Sequence, residues 1–212
     1  MTETHSLILA PWRAALTGAL HRNRSLIYSR YAQLATVRSS PTRSSPSENG
    51  SGASYRPANR TVVFRGFLDD MNQLKFITDD RSDKTAQIEQ NPWGELCWYF
   101  PKTREQFRLL GTLTIVRADF DDRTLVQARQ TQWQDLSDAA RLQFTWAASG
   151  QLRTAESDFT PPPPDAIEPP PNFCLLLLDP VQVDHLLLRG DPQNRYVYQK
   201  TNDEWTKEEV NP

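Results

Sequence analysis

The chain has 212 residues, enough to bury a core without disulfides or a structural metal. Its 24 Lys and Arg and 26 Asp and Glu residues give a formal net charge of −2, which offers no electrostatic case for wrapping nucleic acid. The cysteines Cys97 and Cys174 lie in apolar runs and are predicted to be free buried thiols. With three scattered histidines and no Cys-x-x-Cys pair, the composition argues against a metal site.

No apolar stretch is long enough to span a bilayer. The longest, 174–188, is interrupted by Asp179, Pro180 and Asp184. The first residues lack a basic segment followed by an apolar core, as a secretory signal would require. We therefore expect a soluble cytoplasmic protein with no membrane partner.

The first elements are a helix, a strand and a polar loop. Residues 8–23 predict a helix with Pro11 in its first turn, and residues 31–37 predict a strand. Residues 38–57 are rich in Ser, Pro and Gly with almost no apolar content, which is typical of a loop.

A hairpin and a short helix follow. Residues 60–68 alternate between apolar and polar, 69–72 form a polar turn, and 73–78 predict the return strand. Ser82 is placed to be the N-cap of a helix that ends near Asn91.

The middle of the chain predicts a second hairpin, 95–100 with 105–118, and then helices. Gly111 inside the latter strand indicates a bulge or a close backbone approach. The pattern turns helical from 122 to 146, with Ser137 positioned to cap a second helix.

The last third begins with a proline-rich segment. Residues 156–172 hold seven prolines and predict an extended surface segment without helix or inner strand. Strands are then predicted at 173–179, 181–188 and 195–200, with a turn at 190–194. The sum is a single domain over 1–212: mainly β, with six to eight mostly antiparallel strands closed into a barrel and a few peripheral helices.

Other constellations have plainer explanations than catalysis. The acidic cluster Asp119, Asp121 and Asp122 is read as the start of a helix rather than a metal or acid–base site. His185 lies in an apolar strand with no nucleophile motif nearby, which is typical of a core or rim histidine. Trp146 is read as a core or interface aromatic.

Five short motifs in order resemble the pyridoxamine 5′-phosphate oxidase family, the FMN-binding split barrels. The likeness runs from about Tyr31 to the C-terminus, with gaps in the two loops. Its segments are Arg60-Thr-Val-Val-Phe-Arg65; Phe76-Ile-Thr78 with Ser82-Asp-Lys84; the helix end Gln87 to Pro92; Gln106 to Gly111; and Arg195-Tyr-Val-Tyr198.

The resemblance implies a homodimer with FMN at the subunit interface and a small-molecule substrate. It places Arg60, Ser82 and Lys84 at the FMN phosphate, where cations and hydroxyls donate to phosphate oxygens. The plainer alternative for the two cations is ordinary surface charge. Arg65 stands where the family has a lysine for substrate phosphate.

The same resemblance assigns the flavin ring to a second group of residues. It implies ring contacts from the strand segments at Val62, Val63, Ile77 and Thr78. It also implies that Gln106 and Arg195 reach the ring from the partner subunit, where a cation stabilises the anionic reduced flavin. A solvated hairpin residue remains the alternative for Arg195.

Some family positions depart from the pattern. A second phosphate cation is replaced by Asp83, a strand tryptophan by Leu186, and the substrate segment is reduced to 191–195. The helical region offers no match for the residues that hold substrate phosphate. We therefore predict an FMN-dependent oxidoreductase whose substrate is not specified, with a non-catalytic FMN or small-ligand binding barrel as the alternative.

Overall fold

The structure is a computed structural model that describes residues 9–41 and 53–212. Its strands are β1 Tyr31–Pro41, β2 Ala53–Val63, β3 Leu74–Asp79, β4 Trp93–Phe100, β5 Glu105–Val116, β6 Phe173–Leu187, β7 Asn194–Thr201 and β8 Glu204–Val210. Its helices are α1 Pro11–Asn23, α2 Asp83–Gln90, α3 Arg123–Gln134 and α4 Asp138–Leu142, with short 3₁₀ turns at Gln143–Thr145 and Glu156–Phe159.

Six strands form a hydrogen-bonded ring. Antiparallel ladders run in the order β2-β1-β4-β5-β6, and β3 pairs with the other edge of β6. The chain leaving β2 then closes the ring against β3: Arg65 N donates to Lys75 O at 2.9 Å, Lys75 N to Gly66 O at 2.8 Å, and Leu68 N to Gln73 O at 2.9 Å. The predicted antiparallel closed barrel with peripheral helices is confirmed.

Strand β6 joins the two parts of the sheet. Its first half pairs with β3 and its second half with β7, while β5 runs along its other edge. The register shifts between Leu110 and Gly111, which leaves Val181 as an extra residue beside Pro180. The prediction of two separate strands at 173–179 and 181–188 was wrong, because the chain passes through this bulge without breaking.

Two layers of apolar side chains stabilise the fold. The barrel interior is filled by alternate residues of the strands, as Leu96, Trp98 and Phe100 of β4 illustrate with no exposed surface. A second layer lies outside β6, where Leu175 and Leu177 pack against α3. Successive side chains of β6 point to opposite faces, and both faces are buried, one in the barrel interior and one under α3. This explains why the sequence of β6 is nearly continuously apolar.

A buried ion cluster attaches α1 to the barrel. Glu105 accepts from Arg22 at 2.7 Å and pairs with His185 Nε2 at 2.9 Å, and His185 stacks on Phe107. Burial raises the pKa of Glu105, but the hydrogen bonds from His185 and Arg22 outweigh it and lower that pKa to about 2. His185 is thus a buried structural residue, as predicted.

The C-terminal strand β8 was not predicted. Its sequence, EWTKEEV, is largely exposed and polar, so it lacks the apolar alternation of a half-buried strand. The available signal is the turn before it. Asn202 and Asp203 have φ of 49° and 67° and link paired Thr201 and Glu204, as in a type I′ hairpin turn.

The predicted loop at 38–57 is shorter than expected. β1 continues to Pro41 and β2 starts at Ala53, and the two pair along their whole described length despite the polar composition. Residues 42–52 of that loop lie outside the described residues. Backbone pairing needs no apolar side chains. The polar composition therefore led to a loop prediction for residues 38–41 and 53–57, which in fact form strands.

Two further predictions need adjustment. The hairpin predicted from 60–68 and 73–78 exists only near its tip, since β2 ends at Val63 and β3 pairs along its length with β6. The segment 156–172 starts with a 3₁₀ turn and then lies against α3, where Trp133 Nε1 donates to Asp165 O at 3.0 Å. Cys174 is buried as predicted, whereas Cys97 is half-buried.

The helix caps follow the sequence. Asp122 accepts from two backbone N–H groups as the N-cap of α3, and Ser137 accepts from Ala140 N as the N-cap of α4. Among the described residues, no cluster of potential metal ligands occurs. No helix in that part of the chain is long and apolar enough to cross a membrane.

We predict that any side chain at Gly111 destabilises the fold, because the backbone of β6 approaches this residue closely. A Cβ there would lie 2.1 Å from Asp179 O and 2.8 Å from Pro180 Cα, both backbone atoms of the bulge. We expect Gly111→Ala to lower the free energy of unfolding by about 1–3 kcal/mol, the usual cost of overpacking. Urea unfolding measures this change.

The matched control is Gly18→Ala, in the middle of α1. There the new Cβ would meet only the flexible end of Arg22. This variant should change stability little, because the helix preference of alanine, roughly 0.5–1 kcal/mol, is offset by displacement of the Arg22 guanidinium that binds Glu105. Equal effects of the two substitutions would contradict the close approach at the bulge.

Candidate functional site

A cavity of about 530 Å³ opens between the barrel and the helical segment that follows α3. β2, β3 and the first turn of α2 form one wall, and residues 140–149 form the other. Its lining residues are Tyr31, Thr61, Val62, Val63, Arg65, Ile77, Thr78, Asp79, Arg81, Lys84, Ala140, Gln143, Phe144, Trp146, Ala147 and Ser149.

Lys84 brings a half-buried ammonium group to one end of this cavity. Its Nζ donates to Thr78 Oγ1 at 2.6 Å and to Ser82 Oγ at 3.0 Å, both of them neutral hydroxyls. Ser82 is the N-cap of α2 as predicted, yet its side chain makes no capping bond and donates to Asp79 O instead. Ser82 therefore does not cap the N–H groups of the first turn of α2.

Arg60 lies behind Lys84 and is likewise held by neutral acceptors. Its Nη1 donates to Thr36 Oγ1 at 2.6 Å and to the carbonyls of Ala58 and Leu34 at 2.9 and 3.3 Å. Its Nη2 donates to Gln87 Oε1 at 2.9 Å, an atom that also accepts from Thr36. Arg60 is not a lining residue of the cavity, but strand and helix fix it beside the helix that carries Lys84.

The two cations are close enough to affect each other. Burial lowers the pKa of Lys84, and repulsion from Arg60 lowers it further. Burial also lowers the pKa of Arg60, and Arg38 adds to that shift. Two cations held by neutral groups near an uncapped helix N-terminus form a receptor for an anion such as a phosphate.

A third cation, Arg65, points into the same cavity. Its Nε is buried and has no hydrogen-bond partner among the described residues. Burial lowers the pKa of Arg65, and the neighbouring charge of Arg30 adds to the shift. Arg65 lines the cavity, so its guanidinium adds a third positive charge to the wall that carries Lys84.

An ion pair fixes the opposite wall. Arg81 binds Asp79 through two nitrogens, at 2.9 and 2.6 Å, and donates to the carbonyls of Trp146 and Phe144. Asn172 donates to both Asp79 and Phe144 O. Burial raises the pKa of Asp79, but these hydrogen bonds outweigh it and hold the pKa below its usual range.

The helical region supplies shape rather than free charge. Arg141 is buried and donates to the carbonyls of Trp133 and Gln134 and to Asp138. Its donors are thus committed to the protein. This agrees with the absence of a family substrate-phosphate motif in this region of the sequence.

Eight of the ten predicted site residues come together here. Six line the cavity: Val62, Val63, Arg65, Ile77, Thr78 and Lys84. Ser82 contacts Lys84, and Arg60 lies beside it. Gln106 and Arg195 lie elsewhere.

Ten lining residues were missed by sequence reasoning. The charged pair Asp79 and Arg81, just ahead of Ser82, was a usable local signal. Residues 140–149 carried none, because only tertiary packing brings them to the strands.

Gln106 and Arg195 border a second cavity of about 190 Å³, together with Arg108, Asp184 and Leu186. The strand register explains the grouping. Gln106 pairs with Leu186 across β5 and β6, and Leu186 pairs with Arg195 across β6 and β7. Directly opposite residues share a face, so these three form one row on the outer surface of the sheet.

The two cavities lie on the same outer face, at different strands. Gln33 pairs with Thr61 on β2 and with Cys97 on β4, and Cys97 pairs with Arg108 on β5. The face therefore runs continuously from the first cavity to the second. In this direction β6 is four strand spacings from β2, whereas in the other direction round the closed ring only β3 lies between them, which is two spacings or roughly 10 Å at about 4.8 Å each.

The first cavity fits a flavin mononucleotide. Its volume lies within the range of roughly 300–1,000 Å³ typical of small-ligand sites. Cations and hydroxyls are gathered at one end, as a phosphate dianion requires, and the apolar parts of Val63, Ile77 and Phe144 offer a slot for a flat ring. Arg65 adds a third cation to the lining.

The sequence of the chain is similar to known proteins of one family. The profile described as pyridoxamine 5′-phosphate oxidase, FMN-binding domain, matches residues 9–117. A protein of Arabidopsis thaliana named pyridoxine/pyridoxamine 5′-phosphate oxidase 2 is 36% identical over 208 residues, covering 96% of this chain and 98% of its own. A pyridoxine/pyridoxamine 5′-phosphate oxidase of Alkalilimnicola ehrlichii is 27% identical, covering 76% of this chain and 82% of its own.

Solved structures agree with the sequence matches. A pyridoxamine 5′-phosphate oxidase-related, FMN-binding protein of Nostoc punctiforme superposes with a TM-score of 0.86 at 60% identity, over 97% of this chain and all of that one. PhzG of Burkholderia lata shares the fold, with a TM-score of 0.68 at 17% identity over 94% and 89% of the two chains. The chain belongs to the pyridoxamine 5′-phosphate oxidase family of FMN-binding domains, and FMN is its cofactor.

Proposed function

We propose that the chain is a homodimeric FMN-dependent oxidoreductase in which a small substrate passes a hydride to the flavin. The observation that carries the proposal is the pair of cations, Lys84 and Arg60, held only by neutral partners at one end of a cavity of flavin size. FMN supplies the hydride-accepting ring when bound. The protein supplies position and charge.

The phosphate end uses three groups that donate. Lys84 retains donor capacity after its bonds to Thr78 and Ser82, and Arg60 contributes charge from behind. The N–H groups at the start of α2 add a partial positive charge. A phosphate there would relieve the repulsion between the two cations, so binding and local stability are coupled.

The ring end lies between strand and helical segment. Val62, Val63 and Ile77 present one side, and Phe144 and Trp146 present the other. The Asp79–Arg81 ion pair ties this second side to β3, which keeps the slot at a fixed width. No side chain in this slot is needed as an acid or base for hydride transfer.

The positions of the two predicted ring residues motivate the dimer. Gln106 and Arg195 border a separate cavity and do not line the first one, so we assign their contact with the flavin to a partner subunit. A two-fold partner would bring its second cavity against the first. The exposed aromatics Tyr31, Trp93 and Tyr99 on this side, each 45–48% exposed, support a protein interface.

Pyridoxine or pyridoxamine 5′-phosphate is the substrate to test first, because relatives are named as oxidases of these compounds. The second candidate function is FMN or small-ligand binding without turnover. The exposed Asp83 favours it, since a carboxylate in the first turn of α2 adds negative charge where a phosphate is to bind.

One experiment separates these functions. Protein purified without added cofactor is examined for flavin bands in its visible spectrum, and any released ligand is identified by mass spectrometry. The bound flavin is then mixed anaerobically with each candidate substrate. Bleaching followed by recovery in air supports the oxidoreductase, and bands that never bleach with any donor favour the binding module. Absence of FMN binding even after addition refutes the oxidoreductase and leaves only a module that binds another small ligand.

Lys84 should dominate the affinity for FMN. Lys84→Gln removes a charge-assisted hydrogen bond to phosphate, so we expect affinity to fall about 10- to 100-fold. Lys84→Glu should weaken it further by repulsion. Fluorescence titration of FMN into apoprotein measures the dissociation constant.

Lys102→Gln is the control for charge removal. This lysine is exposed in the turn between β4 and β5, where its ammonium contacts Ser25. Its substitution should leave FMN affinity unchanged. Similar losses at Lys84 and Lys102 would indicate a general charge effect and argue against the phosphate assignment.

A mixed-dimer test addresses the contribution of the second subunit. Lys84→Glu and Arg195→Gln chains carrying different tags are co-expressed, and the heterodimer is isolated. If each site takes Lys84 from one chain and Arg195 from the other, the heterodimer has one intact site and one doubly defective site. We expect about half the sites to bind flavin as the wild type does. Two sites that reproduce the two single variants, one with the affinity of Lys84→Glu and one with that of Arg195→Gln, would show that both residues act within one chain.

A further inference from the structure

The second cavity contains a buried carboxylate that the flavin proposal has not used. Asp184 is 5% exposed and accepts from Arg108 at 2.5 Å and from Arg195 at 2.7 Å. Arg195 binds it with both Nε and Nη2. Three strands thus meet at one carboxylate, because β5, β6 and β7 supply one charged residue each.

The arrangement fixes Arg195 in direction. A forked guanidinium that binds a carboxylate through two nitrogens has little rotational freedom left. Leu186 lies beside it in the row from Gln106 to Arg195 and limits movement on that side. Arg195 nevertheless keeps about a third of its side chain exposed, at the cavity mouth.

The charges are also balanced. Burial raises the pKa of Asp184, but hydrogen bonds from Arg195 and Arg108 outweigh it and lower that pKa below its usual range. Glu95 lies 3.9 Å from Arg108 and gives it a second, more exposed partner. Two guanidiniums are therefore compensated by two carboxylates, of which only Asp184 is buried.

We infer that Asp184 is a positioning residue for the flavin: it aims Arg195 of one subunit at the ring bound by the other and offsets part of its positive charge. The inference rests on the proposed function, since it requires a flavin at the subunit interface. Its consequence is electronic. The charge felt by the ring edge is set by the pair, so the carboxylate controls how strongly the anionic reduced flavin is favoured.

Removing the negative charge while keeping the shape isolates this role. Asp184→Asn leaves Arg195 uncompensated, so the reduced flavin should be bound roughly tenfold more tightly relative to the oxidised form. The flavin midpoint potential should rise accordingly. Arg195→Gln should lower it, and the Asp184→Asn change should vanish in the Arg195→Gln background, because Asp184 acts through Arg195.

The controls separate this role from a structural one. Glu95→Gln removes the exposed partner of Arg108 and should leave the potential unchanged. If Asp184→Asn does not fold, Arg195→Lys serves instead, since it keeps the charge but loses the forked contact and should also shift the potential. Spectroelectrochemical titration of the FMN-loaded dimers gives all values.

The possible outcomes are distinct. An upward shift that depends on Arg195 supports the inference. An unchanged or lowered potential, or a shift that persists without Arg195, overturns it while FMN binding stands. Failure of the wild-type chain to bind FMN overturns the proposed function and this inference together.

Discussion

The site depends on two cations held together by neutral groups. Lys84 and Arg60 repel each other, and the groups that accept their hydrogen bonds are neutral; the nearby carboxylates of Asp79 and Asp83 offset only part of the repulsion and burial. Such an arrangement is costly in the isolated protein, because desolvated charges are compensated only in part. The stability of the barrel offsets this unfavourable free energy, because the strand pairing and the apolar core hold β2, β3 and α2 at fixed positions. A phosphate dianion bound at this end of the cavity would supply opposite charge, so the unfavourable free energy of the two cations would favour its binding.

Much of this cradle could be predicted from local sequence. Ser82 and Lys84 lie where a predicted strand is followed by a predicted helix, and Arg60 begins a strongly alternating strand. The sequence therefore indicated both the position of the site and its positive charge. The barrel itself followed from alternation and from Gly111, whose missing side chain the bulge requires.

Other parts of the site and of the fold could not be predicted from local sequence. Residues 140–149 have no motif and reach the cavity through tertiary contacts: Phe144 packs on Trp133 and Phe173, and its carbonyl accepts from Arg81 and Asn172. β8 lacks an apolar face, and the flanks of the 38–57 loop form strands through backbone pairing alone. In the sequence, Asp184 is only a charged interruption of the apolar stretch 174–188, and nothing local indicates its partners. Its two arginine partners come from other strands, and only the register brings them together.

The topology also divides stability from chemistry. The ring of six strands is complete without β7 and β8, which hang on the second half of β6 as an added hairpin. Arg195 nevertheless stands on that hairpin, outside the closed ring. Solvent-facing positions of this hairpin can therefore change without altering the barrel, and in the proposed dimer such changes would alter what one subunit presents to the flavin of the other. Divergence of substrate preference among such proteins is expected to concentrate there.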